Sequence, residues 1–259
     1  MCIKPRIQAA PFRLITANIN DYVGNHNDLN GCLNDGRQAK ETVLTYWPEA
    51  DIIRMTDSAA TVGNFSRNVS QSIAVLPPDS TVAIFSDSCF SGDNTKFMWN
   101  SLVEVHPTRN RFQKTLPGPV RPSVKMGTTR SGINWIAFSG CGETQYSADA
   151  WINSEYHGAF SWYLFNLLEP GITYFEWYLR VRKYLPSSQF EQAPTIDGSG
   201  RLLDRKVGVG PTLWIHNSTH GTQIAGDSEE QVREAICFYD GNLSDKAYGA
   251  MLSKIKIAA

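Results

Sequence analysis

The chain has 259 residues, 42% hydrophobic and 19% charged, with a formal net charge of -1. That size suits one large domain or one domain with an appendage, and the balance describes an ordinary globular protein. With no basic field, no partnership with nucleic acid or an acidic membrane surface is expected.

The N-terminal stretch MCIKPRIQAAPFRLI lacks the long apolar segment of a secretory leader. The longest apolar runs, such as Ile133–Phe138, are far too short to span a bilayer. Five cysteines (Cys2, Cys32, Cys89, Cys141, Cys237) are an odd number, widely spaced and without a CxxC pair. They argue against a disulfide framework or structural zinc and for a reducing, cytoplasmic setting. The five histidines are as scattered, so no metal cage is expected.

In chain order, Pro11–Ile19 reads as a first strand and 24–28 as a polar loop. Apolar residues at 29, 32, 33, 43, 44 and 47 predict a helix capped by Asn27 or Asp28 and ended by Trp47-Pro48. Asp51–Met55 is a short strand; Phe65, Val69, Ile73 and Leu76 stripe a second helix that Pro77-Pro78 stops. Thr81–Phe85 is a short β-branched and aromatic block that predicts a buried parallel strand, running into Ser86-Asp87-Ser88-Cys89.

Residues 93–132 lack periodicity and read as a long loop with a short helix near 96–103. Ile133–Ser139 is another buried strand with a polar exit over Gly140–Asp149. Helices are predicted over Gly158–Leu168 and Thr173–Tyr184, the second opened by a Thr173/Glu176 capping box. Val207–Ile215 reads as an edge strand or hairpin, followed by helices at Ser228–Phe238 and Ser244–Ile255.

The alternation predicts an α/β fold, a three-layer sandwich with a mostly parallel sheet flanked by helices. Polar clusters at 21–35, 86–92 and 139–149 leave strand ends on what should be one edge, where open sheets bind ligands. A thiol at such an exit, Cys89, is a candidate nucleophile; the plainer reading is a buried structural cysteine.

Leu29–Gly36 (LNGCLNDG), Ser86–Gly92 (SDSCFSG) and Phe138–Asp149 (FSGCGETQYSAD) together resemble a caspase-like cysteine peptidase of the metacaspase/orthocaspase type. His157–Leu168 and Leu185–Pro194 extend the resemblance, which runs from about residue 12 to 207. It implies a caspase-like domain over 1–207 and a C-terminal extension of no assigned role over 208–259. It also implies that Cys89 is the nucleophile and that Cys32, Asp35 and Asp87 line a pocket for Arg or Lys before the scissile bond. Two carboxylates facing one pocket suit a guanidinium or ammonium group. Taken alone, Asp35 reads equally as a solvated helix residue, Asp87 as a turn cap and Cys32 as core. Calcium dependence is a further implication of the resemblance, though no EF-hand loop is present.

One part of the family pattern is lacking. The catalytic histidine should stand in a Ser-Gly-His-Gly segment ending the strand before the cysteine strand. Only Pro77–Ser80 separate the second helix from Thr81, and Phe90 follows Cys89 where metacaspases usually have His. His157, at the start of a helix, is the tentative substitute, with His26 and His106 behind it and His216 and His220 read as surface residues. The histidine arriving from another chain is a further option. The sequence thus predicts a peptidase homologue of impaired activity, acting on peptides or proteins with Arg or Lys. The alternative is an inactive pseudoprotease that binds peptide or protein. An unrelated α/β hydrolase fits poorly, since there is no GxSxG elbow.

Overall fold

The computed structural model describes residues 12–22, 28–88, 134–142, 145–198, 200–225, 232–244 and 247. The stretch 93–132, most of the segment 244–255, His26 and His106 lie outside the described residues, as does Cys89.

In chain order the elements are β1 (Phe12–Asn18), α1 (Cys32–Tyr46), β2 (Asp51–Thr56), α2 (Val62–Ala74), β3 (Thr81–Asp87) and β4 (Asn134–Ser139). Then come β5 (Asp149–Ile152), β6 (Glu155–Gly158), α3 (Ala159–Asn166), α4 (Tyr174–Val181), β7 (Thr195–Gly198) and α5 (Gly200–Leu203). The last four are β8 (Thr212–Ser218), β9 (Gly221–Ala225), β10 (Val232–Phe238) and β11 (Gly241–Ser244). Six strands form the main sheet in the order β2-β1-β8-β3-β4-β7, and all neighbours are parallel except β4 and β7.

Period-two alternation builds the three layers. Leu14, Ala83, Phe85, Ile136, Phe138 and Trp214 turn to one face and pack with Ala39 and Val43 of α1, Phe160 and Leu164 of α3, and Trp177 of α4. Their neighbours Ile15, Ile84, Ala137, Leu213 and Ile215 turn to the other face, against Phe65, Val69 and Ile73 of α2. Ile236, Phe238 and Leu243 of the small antiparallel sheet β11-β10-β9 close that second layer. The α/β sandwich expected from the sequence is therefore present.

Most helix signals hold, but α1 opens at Cys32 after Gly31 with no side-chain cap, not after Asn27 or Asp28. The Asp28 carboxylate instead accepts the Tyr22 amide. Buried Cys32, Asp35, Gly36, Ala39 and Val43 mark one face of α1, and Thr61 caps α2 by accepting from the Asn64 amide. The Thr173/Glu176 box is formed in both directions.

Two expectations near the C-terminus need correction. Val207–Ile215 is no edge strand: β8 occupies 212–218, is buried at every residue and pairs with β1 on one side and β3 on the other. A strand covered on both faces has no polar–apolar alternation to read, and Thr212, His216, Asn217 and Ser218 gave it a surface look. Residues 212–218 thus belong to the centre of the main sheet rather than to an appendage after 207. The helix expected at Ser228–Phe238 is also replaced. Residues 232–238 are β10, where pairing with β9 and β11 and burial of Ile236 and Phe238 against α2 outweigh local propensity.

The hairpin β5–β6 was not anticipated. Its two turn residues, Asn153 and Ser154, have φ of 50° and 71°, the left-handed pair that a two-residue hairpin turn demands.

Candidate functional site

The parallel strands end together. Asn18 of β1, Ser218 of β8 and Asp87 of β3 are register partners, and Ser86 pairs with Ser139 of β4. Beyond them the Ile19 amide donates to the Ser218 carbonyl at 3.2 Å, and the Thr219 amide to the Asp87 carbonyl at 3.3 Å. The exits of β1, β8 and β3 are thereby fastened side by side, and the described residues of the polar clusters, among them Cys32, Asp87 and Ser147, converge on one edge.

A pocket of about 390 Å³, open to solvent, lies at this edge. Cys32, Asp87, Ser147, Asp149, Ser218 and His220 are in its wall. Asp87 is the buried acid of the pocket, 4% exposed. Its Oδ2 accepts the Ser161 amide at 2.8 Å, in the first turn of α3 where helix N–H groups lack intrahelical partners. Its Oδ1 accepts the Ser147 hydroxyl. Gln192, itself buried, fixes Ser147 from behind: its Nε2 donates to Ser147 Oγ at 3.1 Å and to the Gly140 carbonyl at 2.9 Å, while its Oε1 accepts the Ala148 amide at 2.8 Å.

Asp35 stands behind the pocket rather than in its wall. His157 Nδ1 lies 3.0 Å from Asp35 Oδ1, and Oδ2 accepts the Ser218 hydroxyl at 2.7 Å and the Gly158 amide at 3.0 Å. Burial is the main reason the Asp35 carboxyl is pushed up to about 7, against the pull of its hydrogen bond to His157. Burial likewise raises Asp87, offset in part by Ser147 and Ser161. Among the described residues no Lys or Arg pairs with either acid. At Asp87 the buried carboxylate is met, among the described residues, only by the Ser161 amide and the Ser147 hydroxyl, an arrangement that is costly for a negative charge and favours an incoming cation.

Cys32 lies in the wall, and its thiol is pushed well above the ordinary range by burial and then by the Asp35 charge. It is a protonated wall group, not a nucleophile. His157 is turned away from the pocket: Nδ1 faces Asp35, Nε2 lies 3.5 Å from Glu155 Oε2, and the ring packs 4.7 Å from Trp162. Both ring nitrogens face carboxylates, and the ring holds Asp35 from behind the pocket.

The two histidines read as surface residues are not on the surface. His216 is fully buried on β8, with Nε2 3.0 Å from Ser161 Oγ. His220 is half-buried in the pocket wall; its amide donates to the Tyr22 hydroxyl at 2.8 Å, and the two rings lie 4.8 Å apart. The signal that would have found it is Ser218-Thr219-His220-Gly221, which departs from Ser-Gly-His-Gly at one residue and lies beyond the end of the resemblance.

Among the described residues no group of three or more His, Cys, Asp or Glu is disposed to hold a metal ion, and no helix is long and apolar enough to cross a membrane.

No protein-family model matches the chain, and no curated protein does. A crystal structure does match: protein GSU0716 from Geobacter sulfurreducens, 14% identical, with a TM-score of 0.51 over 78% of this chain and all of that one. At that identity the likeness concerns the fold alone.

Proposed function

We propose that this protein is a caspase-like cysteine peptidase of the metacaspase type that cuts after Arg or Lys. In this reading Cys89 is the nucleophile and His220 its general base. The observation that carries it is the place of β8. The histidine strand that the chain lacks between α2 and β3 has a counterpart at the far end, running parallel to β3 and directly beside it. It ends in Ser218-Thr219-His220-Gly221. Ser218 and Asp87 are register partners; His220 is the second residue after one and Cys89 the second after the other. The order of segments along the chain is permuted, while the order of strands in space puts the histidine strand beside the cysteine strand.

The chemistry follows from these roles. A free thiol with a pKa near 8.5 is only a few per cent thiolate at neutral pH. The His220 imidazole takes the Cys89 proton as sulfur attacks the scissile carbonyl, forming the C–S bond and a tetrahedral oxyanion. Collapse of that adduct breaks the C–N bond, and the imidazolium passes the proton to the leaving amine. Water, deprotonated by the same imidazole, then cleaves the thioester and returns the thiol. Asp87 seats the basic side chain before the scissile bond, with Asp149 beside it in the wall and Asp35 as a buried support. Cys32 lines the seat without reacting.

A fluorogenic Arg or Lys peptide and a basic chloromethylketone test the reading together. Turnover by the full chain, with the label on Cys89 and both lost in Cys89→Ala, is expected. Binding of a basic peptide with neither turnover nor labelling of Cys89 would overturn it in favour of a pseudoprotease.

A further inference from the structure

We infer that Tyr22 is a positioning residue for the His220 imidazole, its hydroxyl holding the His220 backbone and its ring setting the direction of the side chain. This rests on the reading of His220 as the general base for Cys89.

Thr219 and His220 are the whole connection between β8 and β9, and the backbone of His220 is held at both of its polar groups. Its amide donates to the Tyr22 hydroxyl at 2.8 Å. Its carbonyl accepts the Cys237 amide of β10 at 2.9 Å and the Thr219 hydroxyl at 3.2 Å. The next residue, Gly221, is already paired with Ile236 in the small sheet, where Ile236 and Phe238 are buried against α2. The main sheet thus fixes the chain on one side of His220 and the small sheet fixes it on the other. What is left to the imidazole is rotation about its two side-chain bonds.

The Tyr22 ring governs that rotation. It stands against the imidazole with ring centroids 4.8 Å apart and planes inclined by 51°, within the range of favourable ring pairs. The two residues meet because β1 and β8 are parallel neighbours whose last residues, Asn18 and Ser218, are register partners. His220 is in the pocket wall and Tyr22 is not, so Tyr22 reaches the pocket through His220.

Tyr22 is itself built into the frame. The segment leaving β1 gives three amides to carboxylates: Asn20 and Asp21 to Asp57 Oδ1 at 2.9 and 3.1 Å, and Tyr22 to Asp28 Oδ1 at 3.0 Å. The Tyr22 side chain packs against the core on the α2 side of the sheet. Burial pushes its phenol above the ordinary range, so the hydroxyl stays neutral. Phenylalanine would pack there with less desolvation; the hydroxyl is accounted for by the His220 amide that it accepts.

The test is steady-state hydrolysis of a fluorogenic Arg peptide by the full chain, with kcat and KM separated and each variant checked for a native unfolding midpoint. Tyr22→Leu, which removes ring and hydroxyl, should lower kcat about a hundredfold with KM unchanged, the scale of a catalytic group misplaced by about 1 Å. Tyr22→Phe keeps the ring and loses one hydrogen bond, so kcat should fall only about two- to tenfold. In a His220→Ala background, Tyr22→Leu should leave the residual rate unchanged, because nothing remains for it to position. A native-like Tyr22→Leu with wild-type kcat would overturn the inference, as would a rise in KM alone, or the same fold loss with and without His220. Tyr22→Phe as slow as Tyr22→Leu would deny the ring its part and overturn it too. If Tyr22→Leu does not fold, Tyr22→Phe compared with and without His220 decides by the same rule. A wild type without turnover, or a His220→Ala that matches it, would instead bring down the dyad reading and this inference with it.

Discussion

Gly158 lets two buried acids approach one another. A Cβ there would collide with Asp87 Oδ2 and lie 2.9 Å from Asp35 Oδ2. Gly158→Ala should therefore destabilise the fold by about 1–3 kcal/mol, the usual cost of overpacking a core, read as a lower urea midpoint. Asp35 adds a pH signature. Its folded pKa of about 7 is above the ordinary carboxylate value, so the folded state binds the extra proton. Stability attributable to Asp35 is then greatest at low pH and falls as pH rises from about 4 to about 7. The gap in unfolding free energy between wild type and Asp35→Asn should narrow or reverse along that rise; a gap independent of pH would deny the buried, raised carboxyl. At this scale the sequence marked Cys32, Asp35 and Asp87 as neighbours, and the structure does bring them together. It did not show that Asp35 faces inward, because a helix stripe does not say which of two acids, one on α1 and one on β3, reaches the solvent-open side.

Elements short enough to be judged by local pattern were legible: β1, β2, β3, β4, the Thr173-capped helix α4 and the stripe of α2. β8 was not. Several of its polar residues find partners more than fifty positions away, such as Ser161 for His216 and Ser86 for Asn217, and nothing within 212–218 announces them. The strand is nevertheless indispensable, since β1 and β3 touch each other only through it. A chain cut after residue 207 should lose cooperative unfolding, leaving β2-β1 and β3-β4-β7 without a shared sheet. Ile215→Ala, in fully buried surroundings, should cost about 2–5 kcal/mol by chemical denaturation. An effect under about 0.5 kcal/mol, the range of surface substitutions, would place β8 at an edge after all.

For the molecule as a whole, what was hidden is chain order rather than composition. A parallel sheet constrains which strands are neighbours and how crossovers turn, but not where along the chain each neighbour comes from. In the proposed reading, the histidine segment sought just before Cys89 stands about 130 residues later, with Thr219 in place of Gly, and so escapes notice. Assembly of the proposed dyad consequently waits for the last third of the chain. The most direct measurement is the hydrolysis rate of a fluorogenic Arg peptide by wild type and by His220→Ala, both checked for native unfolding midpoints. Loss of a general base that serves the thiol predicts a fall in kcat of about 10²–10⁴. Equal rates in the two proteins would contradict the account.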